Sequence, residues 1–164
     1  GAGKTTLFRM IIGSEEADEG SIVRYPQLRL GVIEQQLSFL EDESALEYLL
    51  RASREPSWQC AKIASRFQLS ENDLSRLTSE LSGGYQMRLK LSALLLAEPN
   101  FLLLDEPTNF LDLSTQLLFE RFLLSYRGGY FIISHDREFL KRTCDSTLEV
   151  DRGKCFFFPL RARR

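Results

Sequence analysis

The run Phe101-Leu102-Leu103-Leu104-Asp105-Glu106 constrains this chain more than any other stretch. Four consecutive apolar residues with no polar alternation describe a strand buried on both faces, the kind that lies inside a parallel sheet covered by helices. The strand then ends abruptly in two carboxylates, so Asp105 and Glu106 are delivered together to the edge of a sheet. Two acids at such a place want a cation. Taken alone, the run is equally a core strand that stops at a polar turn, and the rest of the chain has to decide between the two.

The N-terminus supplies a counterpart. Gly1-Ala2-Gly3-Lys4-Thr5-Thr6 carries the end of the phosphate-binding pattern G-x-x-x-x-G-K-[ST], followed by the helical run Leu7 to Ile12. Glycines let backbone N–H groups turn toward phosphate oxygens, and the following helix adds its positive end. Lys4 is then expected at the β- and γ-phosphates and Thr5 on Mg²⁺, while Leu7, Met10 and Ile11 give the helix its buried face. A flexible glycine-rich end is the bland alternative. The chain starts inside the pattern, so the preceding strand, expected in the middle of the sheet, is missing and the sequence reads as a fragment. Beside such a loop Asp105 becomes the expected holder of Mg²⁺ and Glu106 the residue that orients an attacking water.

Two further stretches point the same way. In Leu81-Ser82-Gly83-Gly84-Tyr85-Gln86-Met87-Arg88, two glycines precede a strongly helical run from Met87 to Ala97. Bare N–H groups at a positive helix end, with the Ser82 hydroxyl beside them, make a second anion site; a ligand-free helix cap is the alternative. Tyr130 to Ile133 reads as another buried strand, and it ends in Ser134-His135-Asp136. His135, the only histidine, therefore sits where parallel α/β sheets place their ligands.

Between these motifs, Ser21 to Arg24 and Leu28 to Ile33 read as short strands leading to Glu34-Gln35-Gln36. From Ser44 the period turns helical, with a Ser44/Glu47 capping box and an apolar stripe at Leu46, Leu49 and Leu50. A second helix runs over about Ser57 to Phe67, with Trp58 expected in the packing, and Ser70 opens a third carrying Leu74 and Leu77. Leu113 to Leu124 is expected as a helix with Leu113, Leu117, Leu118 and Phe122 inward, ending near Gly128-Gly129. A helix over Arg137 to Thr143 and strands near Thr147 to Val150 and Cys155 to Phe158 close the chain.

Composition removes several classes of function. At 164 residues, 43% hydrophobic and 27% charged, there is room for one folded domain. A net charge of −2 gives no general basic field for nucleic acid, and the short clusters Arg137/Lys141/Arg142 and Arg161/Arg163/Arg164 read as solvated surface. Three scattered cysteines form neither a disulfide framework nor a zinc motif, which fits a reducing cytosol. Lys90, Glu98 and Asp105 interrupt the most apolar region, so no membrane insertion is expected.

In their order and spacing GAGKTT, LSGGYQMR, FLLLDEPTNFLD and IISHDREFL resemble an ATP-binding cassette (ABC) domain over nearly the whole chain. The resemblance implies an α/β P-loop NTPase: a mostly parallel sheet flanked by helices, with a core over 1–40 and 97–160 and a helical subdomain over about 44–96. It implies ATP and Mg²⁺ as cofactors. Gly1, Ala2, Gly3, Lys4, Thr5 and Thr6 resemble the end of the Walker A loop, and Ser82, Gly83 and Gly84 the signature motif. Asp105 and Glu106 are similar to the Walker B pair, Leu111-Asp112 to the D-loop and His135 to the switch histidine. Gln35 resembles the Q-loop glutamine, with Gln36 the fallback. By that carry-over Thr5, Gln35 and Asp105 are at the metal, and Glu106, His135 and Gln35 serve catalysis.

DEPTN-x-LD, an aromatic plus Arg after LSGG, and SHDR-x-FL are similar to the ABC-F class. Those proteins carry two cassettes in one chain, lack membrane domains and act on ribosomes, some of them giving antibiotic resistance. The implied partners are a second ABC domain in a head-to-tail sandwich, from the same parent chain or a homodimer, and the ribosome. Phe110 stands where His is common in that class, and the ribosome-reaching arm is absent between the helices around Arg51 to Trp58. Two alternatives are the nucleotide-binding subunit of an ABC membrane transporter and an inactive truncated fragment.

Overall fold

The computed structural model describes residues 3–33, 39–109, 111–151 and 154–159. The order is α1 (Lys4–Ile12), β1 (Leu30–Ile33), α2 (Ala45–Ser53), α3 (Ser57–Arg66), α4 (Glu71–Ser75), a 3₁₀ turn (Thr78–Glu80), α5 (Gly83–Leu96), β2 (Phe101–Asp105), α6 (Leu113–Ser125), β3 (Gly129–Ile133), α7 (Arg137–Thr143), β4 (Ser146–Asp151) and β5 (Lys154–Pro159). β1, β2 and β3 form a parallel sheet in that order, with Leu103 of β2 level with Val32 and Phe131. β4 and β5 pair antiparallel as a hairpin.

β2 is the apolar run, and its pleat explains why no polar residue interrupts it. Leu102 and Leu104 face one layer, with Ile33, Leu91, Leu94, Phe119, Leu123 and Phe139, whereas Leu103 faces the other with Phe8 and Ile133. All three leucines are fully buried, so both faces of the strand require apolar side chains. A second cluster joins α2, α3 and α4 to Leu89 and Leu96 of α5. Because α5 serves both clusters, it is apolar around much of its circumference instead of along one stripe.

Several sequence expectations need correction. Residues 21–24 are not a strand; Arg24 instead folds back so that its Nε and Nη2 donate to the carbonyls of Ile11 and Met10 at 2.9 and 3.0 Å. The Met10 carbonyl also accepts from the Gly13 N–H at 3.1 Å, so Arg24 adds a second bond there and meets the Ile11 carbonyl at the helix end, where a cation opposes the helix dipole. Phe8, Ile11 and Ile12 face the core from α1, leaving Leu7 and Met10 half-exposed. Trp58 is 65% exposed and takes no part in the core.

On α6 the inward residues are Thr115, Phe119 and Leu123, with Leu118 and Phe122 packed beside them, while Leu113 and Leu117 face solvent. The cap at Asp112 and the buried Thr115 set the rotation of that helix. α6 stops at Tyr126, before the two glycines. Gly129 belongs to β3, where a β-carbon would stand 2.6 Å from the Phe101 ring. β3 lies at the sheet's edge among the described residues, and on the face it shares with Leu103 it buries Ile133 but exposes Phe131.

The starts of α2, α4, α5, α6 and α7 are fixed by side-chain caps, whereas those of α1 and α3 are not. Ser44 with Glu47 and Ser70 with Asp73 form reciprocal capping boxes, and Asp112 accepts from the Thr115 N–H at 2.8 Å. These bonds hold three carboxyls below their ordinary range: the Ser70 hydroxyl acts on Asp73, the Thr115 N–H on Asp112, and the Arg51 guanidinium on Glu43.

A carboxyl whose folded pKa is depressed contributes stability above its unfolded pKa, roughly 4, and loses it as pH falls through the folded value. We therefore expect the urea midpoint to hold from neutrality to about pH 5 and to fall steeply below about pH 4, with Asp73→Asn and Asp112→Asn together flattening that fall. Leu103→Ala, at the fully buried centre of β2, should cost about 2–5 kcal/mol in the same unfolding experiment.

Candidate functional site

Parallel strands present their carboxyl ends to a common edge, and here that edge collects the polar residues of β2 and β3. β2 brings Asp105 and Glu106, and β3 brings Ser134 and His135. α1 starts beside them: the Thr5 hydroxyl donates to Asp105 Oδ2 at 3.3 Å, joining residues 100 positions apart. Gly3 caps α1 at φ 84°, a left-handed conformation that glycine adopts without strain. The first turn of α1 has no acid, so its positive end stays available to an anion.

Glu106 has a strained backbone at φ 47°, rare for a residue with a side chain, and its N–H donates to the Ile133 carbonyl at 2.9 Å. That bond ties the end of β2 to the end of β3. The Glu106 side chain is 12% exposed, and its Oε1 is buried without a hydrogen-bond partner among the described residues. His135 Nε2 lies 3.3 Å from the same oxygen. The two facts are compatible: the ring is within ion-pair distance but is not aligned for a hydrogen bond. An orphaned carboxylate oxygen is costly to keep, and here it belongs to the residue that follows Asp105 in the chain. The His135 loop is held by the Asp136 N–H donating to Ser134 Oγ at 3.1 Å and by Asp136 capping α7.

The second group stands at the starts of α5 and α6. Ser82 is the N-cap of α5, accepting from the Tyr85 N–H at 3.4 Å, and α5 already begins at Gly83, four residues ahead of the expected start. Gly84 packs directly on α6: a β-carbon there would stand 2.8 Å from Thr115 Oγ1 and closer still to the Asp112 carboxylate. The Ser82–Gly84 turn is thus brought together with Asp112 through Gly84, as Thr5 is with Asp105. Gly1, Ala2, Gln35, its fallback Gln36, and Phe110 lie outside the described residues.

Among the described residues no three His, Cys, Asp or Glu side chains gather as a metal cage. The donor set is one hydroxyl and one carboxylate, Thr5 and Asp105. That suits Mg²⁺, which keeps most of its waters and is held through one or two protein oxygens plus phosphates. Arg88 and Thr115, which join α5 to α6, had no signal at the site level beyond an Arg after the glycines and the Asp-x-x-Thr spacing of an N-cap.

The family model described as ABC transporter matches residues 1–109. Across 96% of its length the chain is 38% identical to the Energy-dependent translational throttle protein EttA of Escherichia coli K12, covering 30% of that protein. It is 34% identical to the ATP-binding protein Uup of Buchnera aphidicola subsp. Schizaphis graminum, over 97% of this chain and 28% of that one. The chain thus spans less than a third of either curated relative. A solved structure titled as the ATP binding subunit of an ABC transporter superposes with a TM-score of 0.84 at 22% identity, covering 97% of this chain and 75% of the other, a likeness of fold. This chain belongs to the ABC family of ATP-binding cassette domains, within which it is similar to the ABC-F class.

Proposed function

We propose that this chain hydrolyses ATP as one cassette of an ABC-F-like protein that works on the ribosome from the cytoplasm. The observation that carries the reading is the Thr5 to Asp105 contact at 3.3 Å, which sets a hydroxyl and a carboxylate side by side at the positive end of α1. The ribosome enters through the 38% identity to a protein named for translation. The transporter-subunit alternative rests on likeness of fold alone. No helix among the described residues is long and apolar enough to cross a membrane.

Each residue then has a task. Gly1, Ala2 and Gly3 are assigned to phosphate binding, Lys4 to neutralising phosphate charge and Thr6 to the same site. Thr5 and Asp105 would hold Mg²⁺, with Gln35 as a third ligand. When bound, Mg²⁺-ATP supplies the electrophilic phosphorus and neutralises the charge that develops there. Glu106, with its orphaned Oε1, orients and polarises a water, and His135, 3.3 Å from that oxygen and 82% exposed at its side chain, is free to turn toward a γ-phosphate. Ser82, Gly83, Gly84 and Asp112 present their N–H groups and oxygens to the nucleotide of a second cassette, a head-to-tail pairing that suits a chain with two separate anion-binding edges. We assign the core to 1–40 and 97–160 and the helical subdomain to about 44–96, a division supported by the separate apolar cluster of α2 to α5.

In the full-length protein Glu106→Gln should retain ATP binding and lower steady-state turnover by about 100-fold or more, accumulating the closed state. Undiminished hydrolysis would overturn the assignment of Glu106. Lys4→Ala should instead abolish nucleotide binding in an equilibrium titration.

A further inference from the structure

Arg88 lies one helical turn beyond Gly84 and is only 5% exposed. Withdrawing a guanidinium from water is costly unless its donors are met. Here Nε donates to Thr115 Oγ1 at 3.1 Å, Nη2 to Ser114 Oγ at 3.3 Å and Nη1 to Gln68 Oε1 at 3.4 Å. The Tyr85 ring lies against the guanidinium, 4.9 Å from its centroid. These acceptors are uncharged, and the Arg88 charge also acts through space on the Asp73 and Asp112 carboxylates.

Thr115 passes the contact on. Its hydroxyl donates to Asp112 Oδ2 at 3.1 Å and its N–H to Asp112 Oδ1 at 2.8 Å. Asp112 lies against Gly84 so closely that any β-carbon would displace it. The path from Gly84 through Asp112 and Thr115 to Arg88 therefore closes back on α5, one turn from where it began. It joins the first turn of α5, which carries Ser82 to Gly84, to the first turn of α6, which carries Asp112. The guanidinium spreads its donors in a rigid fork that matches acceptors on separate segments, whereas a lysine ammonium gathers its donors on one compact atom.

We propose that Arg88 is a positioning residue for the ATPase cycle, locking the Ser82–Gly84 turn and Asp112 into one unit so that both reach the partner cassette's nucleotide in register. The inference rests on the hydrolytic reading above. It makes a specific demand: loss of Arg88 affects turnover, which needs both cassettes closed, and spares nucleotide binding at Lys4 and Thr5 of the same chain.

The test is a double-mutant cycle in the full-length protein with Arg88→Met, Thr115→Val and the pair, reading kcat, the Kd for ATP and the melting temperature. Arg88→Met should lower kcat by about tenfold or more, the scale expected of misplaced catalytic groups, and leave Kd within about twofold. Thr115→Val should do the same, the double variant should be no worse than either single one, and Arg88→Lys should recover part of the loss. A folded Arg88→Met protein with kcat within about twofold of the parent overturns the proposal, as do losses that multiply in the double variant. If Arg88→Met does not fold, Arg88→Gln takes its place in the same cycle with the same criteria. Lys4→Ala and Glu106→Gln separate the two levels: if they leave turnover intact, the hydrolytic reading has failed and this one with it. If they abolish turnover while the Arg88 variants do not, only the coupling has failed.

Discussion

Burial of β2 on both faces is the constraint on which the rest of the molecule depends. Leu102 and Leu104 can leave water only if α5, α6 and α7 cover one side, and Leu103 only if α1 covers the other. Covering the strand in this way brings the positive end of α1 to the carboxyl end of β2, where Thr5 meets Asp105. The candidate site is thus a product of core formation: the apolar residues that hold the helices to the sheet also aim their termini at the acids.

The same edge stores strain. Glu106 occupies a left-handed backbone conformation, secured by its N–H bond to Ile133, and keeps a buried carboxylate oxygen without a hydrogen bond among the described residues. Both features cost stability, of order 1–3 kcal/mol each, and both are tolerated because a leucine strand on one side and β3 on the other overdetermine the position. A structural acid at the end of a strand would have relaxed into solvent. In the proposed hydrolytic role Glu106 would hold a water against an electrophile, which gives it a reason not to.

A polar network performs the corresponding task at the starts of α5 and α6. There is no room for a side chain at Gly84, Asp112 caps α6 and touches that glycine, and Arg88 seals the junction under Tyr85. Replacing these contacts by apolar packing would leave the two helices in place but free to rotate or slide. Hydrogen bonds of fixed direction remove that freedom.

Much of this was legible in the chain because it depends on local physical rules. Leu102 to Leu104 could be nothing but interior, the Ser44 and Ser70 capping boxes were readable from spacing, and Gly3-Lys4-Thr5 has one well-known use at the start of a helix. What the sequence left open was rotational or long-range. Periodicity in α6 did not tell Leu117 from Phe119, because leucines occur on both sides and the buried Thr115 fixes the helix by a polar contact. Arg24 looked like part of a strand because nothing local says that its side chain will cap α1. The sequence by itself determined the chemistry at the sheet edge, since residue type dictates charge and donor capacity. Only the tertiary structure decided that Glu106 would be strained and orphaned and that Arg88 would be buried against α6, because both follow from contacts between segments far apart in the chain.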